Sequence, residues 1–106
     1  MADFFHVGDH GVRLEVQFVK GGQAKPIPSA TVKILRIRAP GGRLIEQSAS
    51  YSSDGSDGKI YWTIPKGFLT KSGVWYVQGI VEFPGARYTT EYKAFDVKPL
   101  LANTAP

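Results

Sequence analysis

The sequence predicts an all-β fold, a small antiparallel sandwich of about six to seven strands with an immunoglobulin-like arrangement. Three observations carry this. Apolar residues alternate with polar ones in short runs, as in Val12, Leu14, Val16 and Phe18 set between Arg13, Glu15 and Gln17; period-two alternation marks strands with one buried face. Turn-forming clusters rich in Gly, Pro, Asp and Ser separate the runs at hairpin spacing. No segment of ten or more residues shows helical periodicity, which favours a sandwich or an open barrel.

The elements follow in order. Val12 to Phe18 is the first strand, ended by a turn at Lys20-Gly21-Gly22-Gln23. Pro26-Ile27-Pro28-Ser29 is an extended connector, because proline cannot donate to a sheet ladder. Ala30 to Arg38 is the second strand. Its apolar phase slips after Ile34 to Leu35 and Ile37, which predicts either a bulge or a strand buried on both faces. Pro40-Gly41-Gly42 turns into Arg43 to Tyr51, a weaker strand rich in Ser and Gln, expected at an edge. Ser52 to Gly58 is the most turn-like segment, and Lys59 to Ile64 is the next strand, with Ile60, Trp62 and Ile64 on one face. The connector Pro65 to Gly73 is expected to tuck Phe68 or Leu69 under the sandwich through one helical turn. Val74 to Phe83 is a long strand carrying Trp75, Val77, Val81 and Phe83 on one face. After Pro84-Gly85, the last strand is Ala86 to Val97, again with a phase slip, between Tyr92 and Phe95. The whole chain, 1–106, reads as one domain, with segments 1–6 and 98–106 expected to be flexible or ordered only by a partner.

Composition bounds the function. The chain has 106 residues, of which 42% are hydrophobic and 12% aromatic, enough for one core. With no cysteine there is no disulfide, thiolate metal site or cysteine nucleophile, and assembly in a reducing cytosol is favoured. The start, Met1-Ala2-Asp3-Phe4-Phe5, has no basic segment leading into an apolar run, so a signal peptide is not expected. No apolar stretch approaches the roughly 20 residues that span a bilayer, so no membrane partner is expected. The formal net charge is +4, and it is uneven. Lys20, Lys25, Lys33, Arg36, Arg38 and Arg43 lie between Glu15 and Glu46 with no acid among them. Such a segment is either a solvated face or a docking surface for an acidic protein or nucleic acid. Nine acidic residues elsewhere make nucleic acid the weakest of these partners.

Candidate chemistry is sparse. Asp54-Gly55-Ser56-Asp57-Gly58 has oxygen ligands but lacks the alternation and the closing glutamate of a calcium loop, and reads as a capped turn. His6, Asp9 and His10 lack a fourth ligand for zinc. There is no Gly-x-Ser-x-Gly elbow, and Gly21-Gly22-Gln23-Ala24-Lys25-Pro26 fails as a phosphate loop. Neither an enzymatic activity nor a cofactor is expected. Trp62 and Trp75 lie in phase with aliphatic neighbours and belong to the core, whereas Tyr61 and Tyr76 are out of phase and point outward. Those two tyrosines are the candidates for a glycan contact, in a carbohydrate-binding alternative.

The order of signals resembles the N-terminal domain of phage baseplate upper proteins and related small immunoglobulin-like phage tail proteins. The likeness runs from Phe5 to Val97 through Phe5-His6-Val7-Gly8-Asp9, the Pro26-to-Val32 segment, Pro40-Gly41-Gly42, Asp57-Gly58-Lys59-Ile60-Tyr61-Trp62, Ser72-Gly73-Val74-Trp75-Tyr76 and Phe95-Asp96-Val97. The resemblance implies a structural virion protein, assembled in the host cytoplasm, that docks on other tail, baseplate, neck or capsid proteins in several symmetric copies. In that family the domain usually opens a longer chain with fibre or receptor-binding parts. A sequence ending at Pro106 therefore suggests an adaptor, baseplate, neck or decoration role rather than a receptor binder. The candidate docking residues are Phe4 and Phe5 near one end, Leu100 and Leu101 near the other, and Arg36, Arg38 and Arg43 in the basic segment.

Overall fold

The computed structural model describes residues 4–100. Among the described residues there are eleven strands and no helix: β1 Phe4–His6, β2 Arg13–Gln17, β3 Val19–Lys20, β4 Gln23–Ala24, β5 Val32–Arg38, β6 Leu44–Ser48, β7 Ser50–Tyr51, β8 Lys59–Thr63, β9 Gly73–Phe83, β10 Ala86–Thr89 and β11 Lys93–Lys98. They form a small β-sandwich. One sheet has the order β1-β11-β9-β5-β6, with β10 also on β9; the facing sheet has the order β2-β8-β7, and β3 and β4 pair as a separate two-stranded ribbon. The strand number exceeds the six to seven read from sequence because irregular residues split the longer runs and β3, β4 and β7 span only two residues each.

Between the sheets lies a core built from the residues that alternate inward. Leu14, Val16 and Phe18 come from the first run, Leu35 and Ile37 from β5, Ile60 from β8, Trp75, Val77 and Val81 from β9, and Phe95 and Val97 from β11. Gly79 sits among the inward residues of β9 because the sheets touch there. A Cβ on it would lie 2.5 Å from the Val16 side chain.

The phase slip in β5 is not a bulge. Its register against β9 runs unbroken from Val32↔Glu82 to Arg38↔Tyr76. Leu35 and Ile37 face the core, while Ile34 pairs with the buried Ile80 on the other face of the sheet. The strand is apolar on both faces over this stretch. The slip in the last strand has the other cause. Against β9, β10 places Thr89 beside Ile80, whereas β11 places Lys93 beside Val77, a shift of one residue. Residues 90–92 absorb it as a bulge, anchored by Thr90, whose Oγ1 accepts the Gly79 N–H at 2.9 Å.

Other connectors are held by specific contacts. The segment 44–51 changes sheets: Ala49 N–H still donates to Lys33 on β5, and Ser50 then pairs with Tyr61 on β8. Pro65 to Ser72 forms turns instead of the expected helical turn, yet buries Leu69 and half-buries Phe68 as expected. In the 52–58 turn the Asp54 carboxylate accepts from Ser56, and hydrogen bonds from its hydroxyl and amide hold the Asp54 carboxyl below its ordinary value. Asp57 accepts the Lys59 amide.

Ile27, fully buried, pins the proline connector to the core. The Tyr51 hydroxyl closes that connector, accepting from the Ala30 amide at 2.8 Å and donating to the Ile27 carbonyl. Tyr51→Phe removes both bonds and strands two backbone groups, so it is expected to cost about 1–3 kcal/mol in chemical denaturation.

One end of the chain departs from expectation. The sequence reads segment 1–6 as flexible or ordered only by a partner, yet Phe4–His6 adds a parallel edge strand to β11 of the same chain. Lys98, placed by sequence in the tail, is the partner of His6 in that pairing. The cause is Phe5, which packs edge-on against Phe95 with ring centroids 5.7 Å apart and so ties the segment to the core.

Candidate functional site

The outer face of the six-stranded sheet carries the candidate site. Among the described residues seven large hydrophobic side chains are exposed, and four of them lie on this face: Phe4 on β1, Leu44 on β6, Val74 on β9 and Tyr92 in the bulge. Strand parity puts Arg36 and Arg38 of β5 on the same face, opposite Glu46 and Leu44 on one side and Gln78 and Tyr76 on the other.

The middle of this face is a shallow depression of about 510 Å³, lined by Arg36, Arg38, Gly42, Leu44, Tyr76, Gln78 and Tyr92. The Arg38 guanidinium lies 5.0 Å from the centre of the Tyr76 ring. Tyr92 meets Tyr76 edge-to-face at 5.6 Å. Arg36 reaches Glu46 at 3.7 Å. Gln78 donates from Nε2 to the Thr90 carbonyl at 3.0 Å, which fixes its amide plane.

The other sequence candidates are dispersed. Arg43 sits in the turn before β6 and lines a separate cleft with Phe68, Lys71 and Trp75, away from Arg36 and Arg38. Phe5 is half-buried against the core and is not an exposed docking residue, because β1 turns it inward. Phe4 faces outward, with the Lys98 ammonium 5.0 Å from its ring centre. Leu100 is 63% exposed just past β11, and Leu101 lies outside the described residues. The sequence offers Tyr61 and Tyr76 as candidates for one outward aromatic surface. They stand on different sheets, with Tyr61 under the Arg13 guanidinium at 3.9 Å, so they do not form one surface. The partner of Tyr76 is instead Tyr92. In an unbroken strand Tyr92 would share the face of Tyr88, which packs on Phe83 and under Lys25. The one-residue bulge moves it across the sheet, and no sequence pattern states where within 90–92 the extra residue falls.

Beside the depression runs a free strand edge. β6 is the last strand of its sheet. The rungs Ala39 N–H to Arg43 carbonyl and Ala49 N–H to Lys33 carbonyl belong to the β5–β6 ladder. In an antiparallel ladder, bonded and non-bonded pairs alternate. Ile45 and Gln47 therefore bond to β5, and the N–H and C=O groups of Leu44, Glu46 and Ser48 point to the open edge. β6 holds no proline or lysine, and its register shows no bulge, so Glu46 is the one charged guard of this strand edge.

This parity makes opposite predictions for neighbouring residues. Glu46→Pro removes an amide that faces solvent, together with one exposed ion pair, and is expected to leave thermal stability within about 1 kcal/mol of wild type. Gln47→Pro removes a ladder bond to buried Leu35 and is expected to cost at least about 2 kcal/mol. Thermal melts of the two variants check the assignment.

Compared with known proteins, the chain matches no family model and no curated sequence.

Proposed function

We propose that this protein is a structural subunit of a bacteriophage particle, a docking or adaptor protein of the tail, baseplate, neck or capsid that acts through protein–protein contacts. The observation that carries the reading is the outer face of the six-stranded sheet, where exposed Leu44 lies on the open-edged strand β6 and exposed Tyr92, Val74 and Phe4 extend across the same face toward β1. Apolar side chains gathered on one face beside unpaired backbone donors and acceptors favour burial against another chain. The sequence resemblance to phage baseplate domains supplies the biological setting. A partner strand added to β6 would complete three residues' worth of main-chain hydrogen bonds. Its neighbours on the outer face would then cover Leu44.

The test is co-sedimentation. Particles banded on a density gradient are probed for this chain, with cross-linking mass spectrometry on the positive band. Stoichiometric presence, with cross-links to tail or capsid proteins and loss of incorporation for Glu46→Pro, is the expected result. Recovery only in the soluble fractions defeats the reading.

A further inference from the structure

We propose that the depression formed by Arg38, Tyr76, Tyr92 and Gln78 is a binding site for an acidic sugar, a pyranose ring bearing a carboxylate. The inference does not rest on the docking role and concerns the isolated protein, in which Tyr92 is uncovered.

The charge argument starts from a contrast between neighbours. Arg36 has its carboxylate, Glu46, at 3.7 Å. Arg38, one pair further along the same face, is exposed and has only the Tyr76 ring beneath it; no carboxylate reaches it among the described residues. A guanidinium resting on an aromatic face keeps its in-plane N–H donors free, and their fork matches a carboxylate. The ring thus orients the cation without neutralising it.

The remaining groups define what is attached to the carboxylate. Tyr92 is 68% exposed and stands edge-to-face with Tyr76, so it offers an open aromatic wall beside the cation. A pyranose presents a face of C–H bonds that packs on such a wall. Gln78 spends its Nε2 on the Thr90 carbonyl, so its Oε1 is left as an acceptor, held in one orientation. Sugar hydroxyls are donors to it. A volume of about 510 Å³ suits one or two sugar rings. An acidic peptide side chain supplies the carboxylate but neither the hydroxyl donors nor the flat C–H face on the same small unit. The sugar satisfies all three requirements at once.

The experiment is a titration of isotope-labelled full-length protein, followed by two-dimensional amide NMR. The probes are D-glucuronate, D-glucose, acetate and N-acetyl-glutamate amide. The expected result is saturable shifts at residues 38, 76, 78 and 92 with glucuronate, at an affinity at least about tenfold above each of the other three. Arg38→Gln and Tyr92→Ala are each expected to weaken it about tenfold or more. Arg13→Gln, which removes a comparable arginine–tyrosine pair from the other sheet, is expected to leave it unchanged. All three sites are on the surface, and the unperturbed part of each spectrum reports that the variant is folded. Equal affinity for acetate reduces the site to a generic anion contact and overturns the proposal. Equal affinity for the glutamate probe overturns it in favour of an acidic protein segment. No saturable shift with glucuronate also overturns it, and none of these results bears on particle association.

Discussion

Trp75→Ala is expected to destabilise the protein by about 3–5 kcal/mol, the cost of emptying a large aromatic site in a closed core. Trp75 is 2% exposed and lies at the centre of an aromatic chain. Phe95, its cross-strand neighbour on β11, stacks on it with centroids 6.0 Å apart, and Phe68 tilts against it at 5.7 Å. Phe68 in turn meets Trp62 at 4.8 Å, which links β9 to the connector 65–72 and to β8 of the opposite sheet. The indole N–H is satisfied by the Lys71 carbonyl at 3.1 Å. Alanine leaves a cavity, frees the Lys71 carbonyl and removes the stack that holds β11. A small domain is stable by only about 5–15 kcal/mol, so the melting temperature should fall by more than about 12 °C. Trp75→Phe keeps most of the stack and should recover at least half of the loss. A near-neutral alanine variant would mean that the aromatic chain does not hold the sheets together.

Gly58→Ala is expected to cost about 3 kcal/mol, more than its small volume change suggests. Gly58 has φ +73°, in the left-handed region, and a Cβ there would lie 2.6 Å from the Phe18 carbonyl oxygen and 2.7 Å from that of Lys25. Both obstacles are backbone, so neither can swing aside. They are also tied to each other: Phe18 N–H donates to the Gly58 carbonyl at 2.7 Å, and Lys25 N–H donates to the Phe18 carbonyl at 2.8 Å. The end of β2, the proline connector and the entry to β8 converge on this one residue. Gly85→Ala is the control. Its φ is +79°, but nothing lies within 4 Å of its Cβ position, so it should cost only about 1 kcal/mol, from backbone strain alone. Denaturant titrations of the two variants separate strain from collision. Equal losses would place the whole effect in the dihedral angle.

Both effects concern positions that the sequence marks unequally. Trp75 could be assigned to the core because it alternates in phase with Val77, Val81 and Phe83. Gly58 reads as a turn glycine among twelve, and nothing in the chain distinguishes it from Gly85. The difference is a contact across 33 and 40 residues of sequence, with Lys25 and Phe18.

The candidate site divides along the same line. That Arg36 and Arg38 share a face follows from their spacing of two on a strand. That Leu44 joins them, and that Tyr76 lies across from Arg38, required the β5 pairings on both sides. The pairing of Tyr61 with Tyr76 failed because outward phase says only that a residue leaves the core, and a sandwich has two outsides. Phe5 reads from sequence as a docking candidate rather than a core contact because a three-residue strand has too few positions to show alternation.

By itself, then, the sequence determined the all-β class, the inward residues of the long strands and most of the turns, because these depend on local period and backbone preference. Tertiary structure alone decided three further things. These are which sheet each strand joined, where the bulge moved Tyr92, and which edge of β6 stayed open. Each depends on pairing between segments distant in the chain. A one-residue change of register in such a pairing carries a side chain from one face of the sheet to the other at almost no cost in local preference.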